Sequence, residues 1–315
     1  MNGDTKRITF SSVFGRKLES LAEHDNRVVA ITAAMASGCG ITESFCTRFP
    51  ERYFDVGIAE EHAVTFAGGL AAAGKRPIVV LYGTFLQRAL DCVFHDVCLQ
   101  KLPVLFCIDR AGAVEDGPTH HGIYDLSFLT AMPDLSILQP ESGAALEQMM
   151  ELALQQNHPV AIRYPRGAAD MPDGDELVPV EWGKAVCDRS GTDLAIWASG
   201  RELYSARETA DILLRDYGLS VAVYNVRFLK PFDREKFLAC AAVMPVVTLE
   251  DHVTRGGLAS IADECLVSNP HHGCFHFGWN PDIVPSHGSV SELKKIQGIM
   301  PAQIASVLAE KLKKS

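Results

Sequence analysis

The chain has 315 residues, 47% of them hydrophobic and 22% charged, with a formal net charge of -10 at pH 7. That length exceeds the usual reach of one hydrophobic core, so two domains are expected, and the composition is that of a globular protein rather than a disordered one. The acidic balance argues against non-specific binding to nucleic acid or a membrane surface, and an anionic substrate would need a local cluster of arginines.

Met1–Arg7 is polar and does not read as a signal peptide, and no apolar run has the length of a membrane span. The nine cysteines are an odd number scattered through apolar stretches, as at Cys92, Cys98 and Cys107, with no CxxC pair or Cys/His ligand spacing. Buried thiols in a reducing, cytoplasmic setting are expected, without a disulfide framework or a metal site.

Val28–Thr32 opens a series of short runs rich in Val, Ile and Leu without strict alternation, as expected of a parallel sheet covered on both faces. The segment YFDVGIAEEHA at 53–63 then sets Glu60, Glu61 and His62 where a strand end passes into the small-residue helix Ala59–Ala73. Ligands of open α/β sheets bind at the carboxyl ends of strands, so the place suits a site. By composition alone, two acids favoured by a helix N-terminus is the first-ranked reading.

Pro77–Tyr82 is the next strand, and Phe85–Gln100 repeats apolar residues at helical spacing. At their junction Tyr82, Phe85 and Arg88 have the chemistry to stack on a ring and hold an anion, although a core aromatic pair beside a surface arginine is simpler. The very apolar strand Val104–Asp109 leads into DRAGAVEDGPTHHG, 109–122. A loop so dense in titratable groups after a buried strand is a functional candidate by position. Its adjacent histidines, His120 and His121, lack further ligands at useful spacing for a metal.

Ser136–Gln139 and Val160–Arg163 read as strands around an amphipathic helix, Glu141–Gln156, that follows a proline. Arg163 and Arg166 close this half. A guanidinium fork matches phosphate oxygens. Arg88, Arg110, Arg163 and Arg166, at strand ends of one sheet, would form an anion pocket if they converged on one rim.

The texture then turns to Pro, Gly and acid in MPDGDELVPVEWG. The expected division is therefore a domain at 1–168, a linker at 169–185 and a second domain at 186–315. In the second, Leu194–Trp197, Ser220–Asn225 and Val246–Glu250 read as strands, and Ser205–Asp216 and Arg234–Ala241 as helices. No short internal repeat is present. The expected fold class is α/β: two consecutive three-layer α/β/α domains, the first a doubly wound parallel sheet, the second a smaller mixed sheet.

In order, TAAMASGCG, DVGIAEEHAVTFAGGLA, YGTFLQRALDCVFHDVCLQKLPVLFCIDRAG, DGPTHHGIYDLSFL, IRYPRG, NVRFLKPFD, VTLEDHVTRGG and IVPSHGS resemble the 1-deoxy-D-xylulose-5-phosphate synthase family, thiamine-diphosphate enzymes of the transketolase superfamily. The resemblance covers nearly all of this chain but only about the last half of the family's polypeptide. It implies a pyrimidine-binding domain for thiamine diphosphate followed by a transketolase C-terminal domain. It further implies transfer of a two-carbon unit from pyruvate, with decarboxylation, to glyceraldehyde 3-phosphate, giving 1-deoxy-D-xylulose 5-phosphate for isoprenoid, thiamine and pyridoxal synthesis.

On this resemblance Glu60 faces a ring nitrogen of the cofactor's aminopyrimidine, Phe85 stacks on that ring and Ile58 adds to the cofactor contacts. Tyr82, Arg88, Arg110 and Arg166 bind the phosphate of glyceraldehyde 3-phosphate. Asp116 and His120 hold the acceptor's hydroxyl and carbonyl, with His120 managing protons. His121 and Glu61 stand where the family commonly has Gln. The second domain is implied to give structural support and a dimer contact, and its departure at Arg255-Gly-Gly-Leu-Ala touches no catalytic residue.

The superfamily holds magnesium diphosphate with Gly-Asp-Gly and a downstream Asn. Neither Asp116-Gly117 nor Gly174-Asp175 has that context. The chain is therefore expected to be inactive by itself and to pair with a separate diphosphate-binding subunit that supplies the Mg²⁺ ligands, as a homodimer or heterotetramer. The domain starting directly after Met1 favours such a split subunit over a fragment. The alternatives are a split transketolase, a ketoacid-dehydrogenase-type E1 β subunit, and a catalytically silent scaffolding paralogue.

Overall fold

The structure is a computed structural model that describes residues 8–172 and 174–313. The polar Met1–Arg7, Asp173 of the expected linker and the last two residues lie outside the described residues. The chain forms two compact units, one of residues up to Ala111 with Met132–Val180, the other of Gly112–Ala131 with residues from Glu181 onward.

In the first unit β1 (Val28–Thr32), β2 (Tyr53–Asp55), β3 (Arg76–Tyr82), β4 (Leu105–Asp109), β5 (Ser136–Leu138) and β6 (Val160–Arg163) run in the order β5-β6-β4-β3-β1-β2. All the pairings among these six are parallel. Every residue of β1, β4, β5 and β6 is buried, which is why these runs show no alternation. Each fully buried Val, Leu or Ile contributes roughly 1.5–3 kcal/mol of transfer free energy. The order reverses at β1: the chain steps outward to β2, then returns to β3 on the other side. That reversal opens a crevice at the carboxyl ends of β1 and β3.

The helix Phe10–His24 starts on a capping box of Thr9 and Ser12 and sends Phe10 and Phe14 against Tyr164, with ring centroids 6.0 and 6.3 Å apart. It packs on the helix Gly143–Leu154, which Ser142 caps. The helix Glu60–Ala72 lies against β3 and the turn Val93–Cys98. Its small residues permit a close approach: a Cβ on Gly68 would stand 2.8 Å from the Asp96 carbonyl oxygen. The stretch expected as one helix over Phe85–Gln100 is instead broken into α, 3-10, α and π turns from Gly83 to Cys98. The π turn widens the backbone at the place where Thr65 donates to the Asp96 carboxylate.

In the second unit β7 (Val186–Arg189), β8 (Leu194–Ser199), β9 (Val221–Val226), β11 (Val246–Val253) and β12 (Cys274–Trp279) form a sheet of order β12-β11-β8-β9-β7, with β10 the short strand Phe228–Lys230. All its pairings are parallel except β7 with β9, so the sheet is mixed. Trp197, wholly buried, stacks on Tyr224 at 4.4 Å and meets Phe237 edge-on at 5.1 Å. The helices Glu202–Tyr217 and Pro301–Leu312 pack together on the other face of this sheet, against Leu194, Ile196 and Ala198. Four strands escape the sequence patterns: β2, β7 and β12 are only partly buried, and β10 is three residues long.

One buried charge makes the first unit's stability depend on pH. Asp109, at the end of β4, is 0% exposed, and burial raises its carboxyl from 3.8 to about 6 against the opposing hydrogen bond from Ser11 and the Arg110 guanidinium. The folded chain thus holds this proton more tightly than the unfolded chain does. Ionising Asp109 therefore subtracts stability as pH rises from about 4 through about 6, reaching a full cost on the order of 3 kcal/mol above that. Asp109→Asn should shift the unfolding free energy in the variant's favour by up to about 3 kcal/mol between pH 4 and pH 7, relative to its difference at pH 4. Denaturant titrations at several pH values test this, and parallel profiles for the two proteins would refute it.

Candidate functional site

The loops that follow β1, β2, β3 and β4 all leave the carboxyl edge of the first sheet at its switch point. After β2, the Asp55 carboxylate accepts from Ala34 N at 2.8 Å and from Gly57 N at 3.0 Å, tying the β1 loop to the Val56–Ala59 turn. Ala34 is held there at φ 60°, a conformation that a non-glycine residue adopts only at some cost. The turn leaves Ile58 74% exposed and sets Glu60 as the first residue of its helix, 2% exposed. Glu60 stands in the positive field of that helix terminus, where no side-chain cap competes for the amides.

One oxygen of this carboxylate is poorly matched. Arg88 Nη1 lies 3.0 Å from Glu60 Oε2, yet no donor makes an aligned hydrogen bond to that buried atom. Arg88 is itself about half in water, so solvent screens the pair. The arrangement leaves a buried acceptor able to meet an N–H donor.

After β3, Tyr82 and Phe85 lie nearly parallel with centroids 6.0 Å apart. The Arg110 guanidinium sits 3.7 Å from the Tyr82 ring centroid and donates to the Gly38 carbonyl at 3.1 Å. Gly38 belongs to the β1 loop, and a Cβ there would fall 2.0 Å from the Tyr82 hydroxyl oxygen. Any larger residue at this position would have to displace the Tyr82 hydroxyl. Burial raises the Tyr82 phenol above its usual range, so its O–H remains a donor at neutral pH. Arg110 holds φ at 59°, with its N–H 2.6 Å from the Asp109 carboxylate, so the buried acid just before it sets its direction.

The four-arginine rim needs correction. Arg163 is 0% exposed and donates to Gln139 at 2.9 Å, which makes it a core cation. A strand-end arginine has two directions open to it, outward over the rim or inward along the sheet, and sequence position does not reveal which it takes. Arg88, Arg110 and Arg166 remain at the edge of this unit, with Arg88 and Arg166 exposed and Arg110 partly so.

Asp116 and His120 lie in the second unit. Gly112 and Gly122 exchange backbone hydrogen bonds at 2.8 Å each, closing the neck of the loop between them. At its tip Asp116 is exposed and His120 half-buried, with His120 Nδ1 2.9 Å from Thr119 Oγ1. His121, passed over as a variable neighbour, is 2% exposed. Its Nδ1 accepts from Val114 N and its Nε2 donates to the Pro285 carbonyl, both at 3.1 Å, which defines the tautomer. Gly117, at φ 86°, lies so near His287 that a Cβ would stand 2.4 Å from its ring.

Among the described residues Asp263, Cys274 and His276 bring three metal-ligand types within 4.8 Å, a grouping that linear spacing does not reveal. The His276 ring already meets Thr248 at 2.8 Å and Asp263 at 3.0 Å. All nine cysteines are free thiols.

Sequence profiles place these features in a family. The transketolase pyrimidine-binding domain matches residues 6–171, and the transketolase C-terminal domain matches 183–304. The 1-deoxy-D-xylulose-5-phosphate synthase of Oleidesulfovibrio alaskensis is 46% identical over 96% of this chain and 48% of its own length. That of Thermosynechococcus vestitus is 45% identical over 97% of this chain and 48% of its own. The chain thus spans about half the length of the curated relatives it matches.

Among solved structures, one described as a split-gene transketolase, an inactive beta4 tetramer, superposes with a TM-score of 0.86 at 27% identity, covering 97% of this chain and 99% of that one. The transketolase of Campylobacter jejuni shares the fold at a TM-score of 0.79 and 18% identity, over 97% of this chain and 47% of its own. No described helix is long and apolar enough to cross a membrane. The chain belongs to the transketolase family, and within it aligns with the C-terminal half of the 1-deoxy-D-xylulose-5-phosphate synthases.

Proposed function

We propose that this chain supplies the pyrimidine-side half of a thiamine-diphosphate active site that makes 1-deoxy-D-xylulose 5-phosphate from pyruvate and glyceraldehyde 3-phosphate. The observation that carries the reading is Glu60: a carboxylate buried to 2% at a helix N-terminus, with one oxygen lacking an aligned donor. Bound thiamine diphosphate would supply the carbon nucleophile that makes decarboxylation of a 2-keto acid accessible. Glu60 would accept a hydrogen bond from the ring N–H that only the imino tautomer of the cofactor's pyrimidine carries, and so favour that reactive tautomer. Phe85 presents an aromatic face to that ring, and Ile58 offers apolar surface beside it. Mg²⁺ and the diphosphate would be held by a diphosphate-binding partner subunit.

Tyr82, Arg88, Arg110 and Arg166 grip the phosphate of the acceptor. Three guanidinium groups give an acidic chain a local anion preference, and the neutral Tyr82 hydroxyl adds a donor. Asp116 and His120 orient the acceptor's hydroxyl and carbonyl, with His120 moving the proton at the carbonyl oxygen. A second reading, the β subunit of a split transketolase, draws on the likeness to the split-gene structure. It differs in the donor: a ketose phosphate instead of pyruvate.

This chain, mixed with a diphosphate-binding subunit of the same family, thiamine diphosphate, Mg²⁺, pyruvate and glyceraldehyde 3-phosphate, should form the deoxy sugar phosphate. Mass spectrometry of the product decides between the readings. A well-formed complex that turns over only a ketose phosphate supports the second, and one inert to both donors overturns both. Glu60→Ala should lower kcat by a factor on the order of 100 or more while leaving the circular dichroism spectrum unchanged. Retained turnover would remove Glu60 from its assigned role. Arg110→Ala should raise KM for glyceraldehyde 3-phosphate at least about tenfold while barely changing KM for unphosphorylated glyceraldehyde. Equal effects on both acceptors would show that Arg110 does not read the phosphate.

A further inference from the structure

Three consecutive residues of one strand anchor backbone segments of the second unit, and two of them hold its proposed catalytic loop. Pairing of β11 with β12 slips between Leu249 and Val253, so Glu250, Asp251 and His252 lie in a bulge. A bulge redirects neighbouring side chains that a regular strand would point to alternate faces. Each of the three serves a different backbone segment. Glu250 accepts from Leu258 N at 2.7 Å and Ala259 N at 2.8 Å, capping the helix Leu258–Leu266. Asp251 Oδ1 accepts from Ala113 N at 3.1 Å and from Trp279 Nε1 at 2.7 Å. His252 Nε2 accepts from Leu126 N at 3.1 Å, while its Nδ1 donates to the Val253 carbonyl at 2.7 Å, which orients the ring.

The last two contacts bracket the loop that carries Asp116 and His120. Asp251 holds one side of the Gly112–Gly122 neck. His252 holds the chain just past its other side, where Val253 N also donates to the Ile123 carbonyl at 3.1 Å. The fit is close: a Cβ on Gly112, at φ 93°, would lie 2.0 Å from Asp251 Oδ2. His252 is buried, and the half-buried Asp251 has its Oδ1 taken up by two N–H donors, so both side chains are committed to holding structure. Between the clamps the loop tip is open, with Glu115 and Asp116 exposed.

We propose that Asp251 and His252 are positioning residues that fix the Asp116–His120 tip through its two backbone ends, so that the C-terminal unit sets acceptor geometry. This inference rests on the proposed role of His120 for its catalytic consequence; the clamp itself does not depend on that role. A loop tip displaced by about 1 Å loses on the order of 100-fold in rate without any change in the reacting groups.

The test has two arms. In amide hydrogen exchange on the full chain, Asp251→Asn and His252→Gln should accelerate Ala113 and Leu126 respectively by about tenfold or more, with β8 and β9 amides unchanged. In the complex with the diphosphate-binding subunit, both variants should lose on the order of 10- to 100-fold in kcat/KM for glyceraldehyde 3-phosphate. The rate at which pyruvate alone loses carbon dioxide should hold. Gly112→Ala, which presses on the clamp from the loop side, should mimic Asp251→Asn and serves if that variant fails to fold.

Unchanged loop exchange in folded variants would overturn the clamp, as would acceleration spread evenly over the unit. Local acceleration without loss of acceptor kcat/KM in an active complex would overturn the positioning role. An inactive wild-type complex would count against the proposed function, and the exchange arm would still decide the clamp.

Discussion

Taking a carboxylate out of water costs several kcal/mol unless charge and hydrogen bonds replace the lost hydration, and at Glu60 the replacement is partial. The helix terminus contributes a field, Arg88 contributes a screened charge, and one oxygen still lacks an aligned donor. Such a group stays buried only if the surrounding structure leaves it nowhere else to go. The Asp55 hydrogen bonds fix the turn before it, and the close approach of Gly68 to Asp96 fixes the helix after it. The geometry of this sheet edge depends on that constraint.

The same logic recurs one strand along. Asp109 is buried beside Arg110, and burial raises its carboxyl above the usual range. Its contacts with Ser11 and Arg110 turn a left-handed arginine toward the aromatic face instead of leaving it to wander in solvent. In the second unit the histidines divide labour by burial. His121 and His252 spend both ring nitrogens on holding backbone, whereas His120 stays at the half-open tip. Adjacent residues of one type thus differ in accessibility and in contacts.

Much of this was legible in the residues. Fully buried strands such as Val28–Thr32 and Val160–Arg163 announce themselves because a parallel sheet buries both faces, so their residues are mostly apolar without alternation. The motifs at strand ends located Glu60, Tyr82, Phe85, Arg88 and Arg110 on one edge. The half-exposed strands β2 and β12 were not legible, since their mixed patterns resemble loops. Arg163 misled because its type suits a phosphate and its position suits a strand end, while its direction depends on Gln139, just past the end of β5. The metal-ligand grouping at Asp263, Cys274 and His276 was invisible for the same reason: its members converge from a helix and a strand.

By itself the sequence determined the class of fold, the family, and which residue types stand at the carboxyl edge of the first sheet, because strand periodicity, burial and turn chemistry are local properties of the chain. Only the tertiary structure decided which of those residues face one another and which turn inward. It set Arg88 against Glu60, drew Arg163 into the core, and gave the loop after β4 to the second unit, where Asp251 and His252 hold its ends. These outcomes follow from contacts between segments far apart in the chain, whose geometry is fixed by packing and by the need of each buried polar group for a partner.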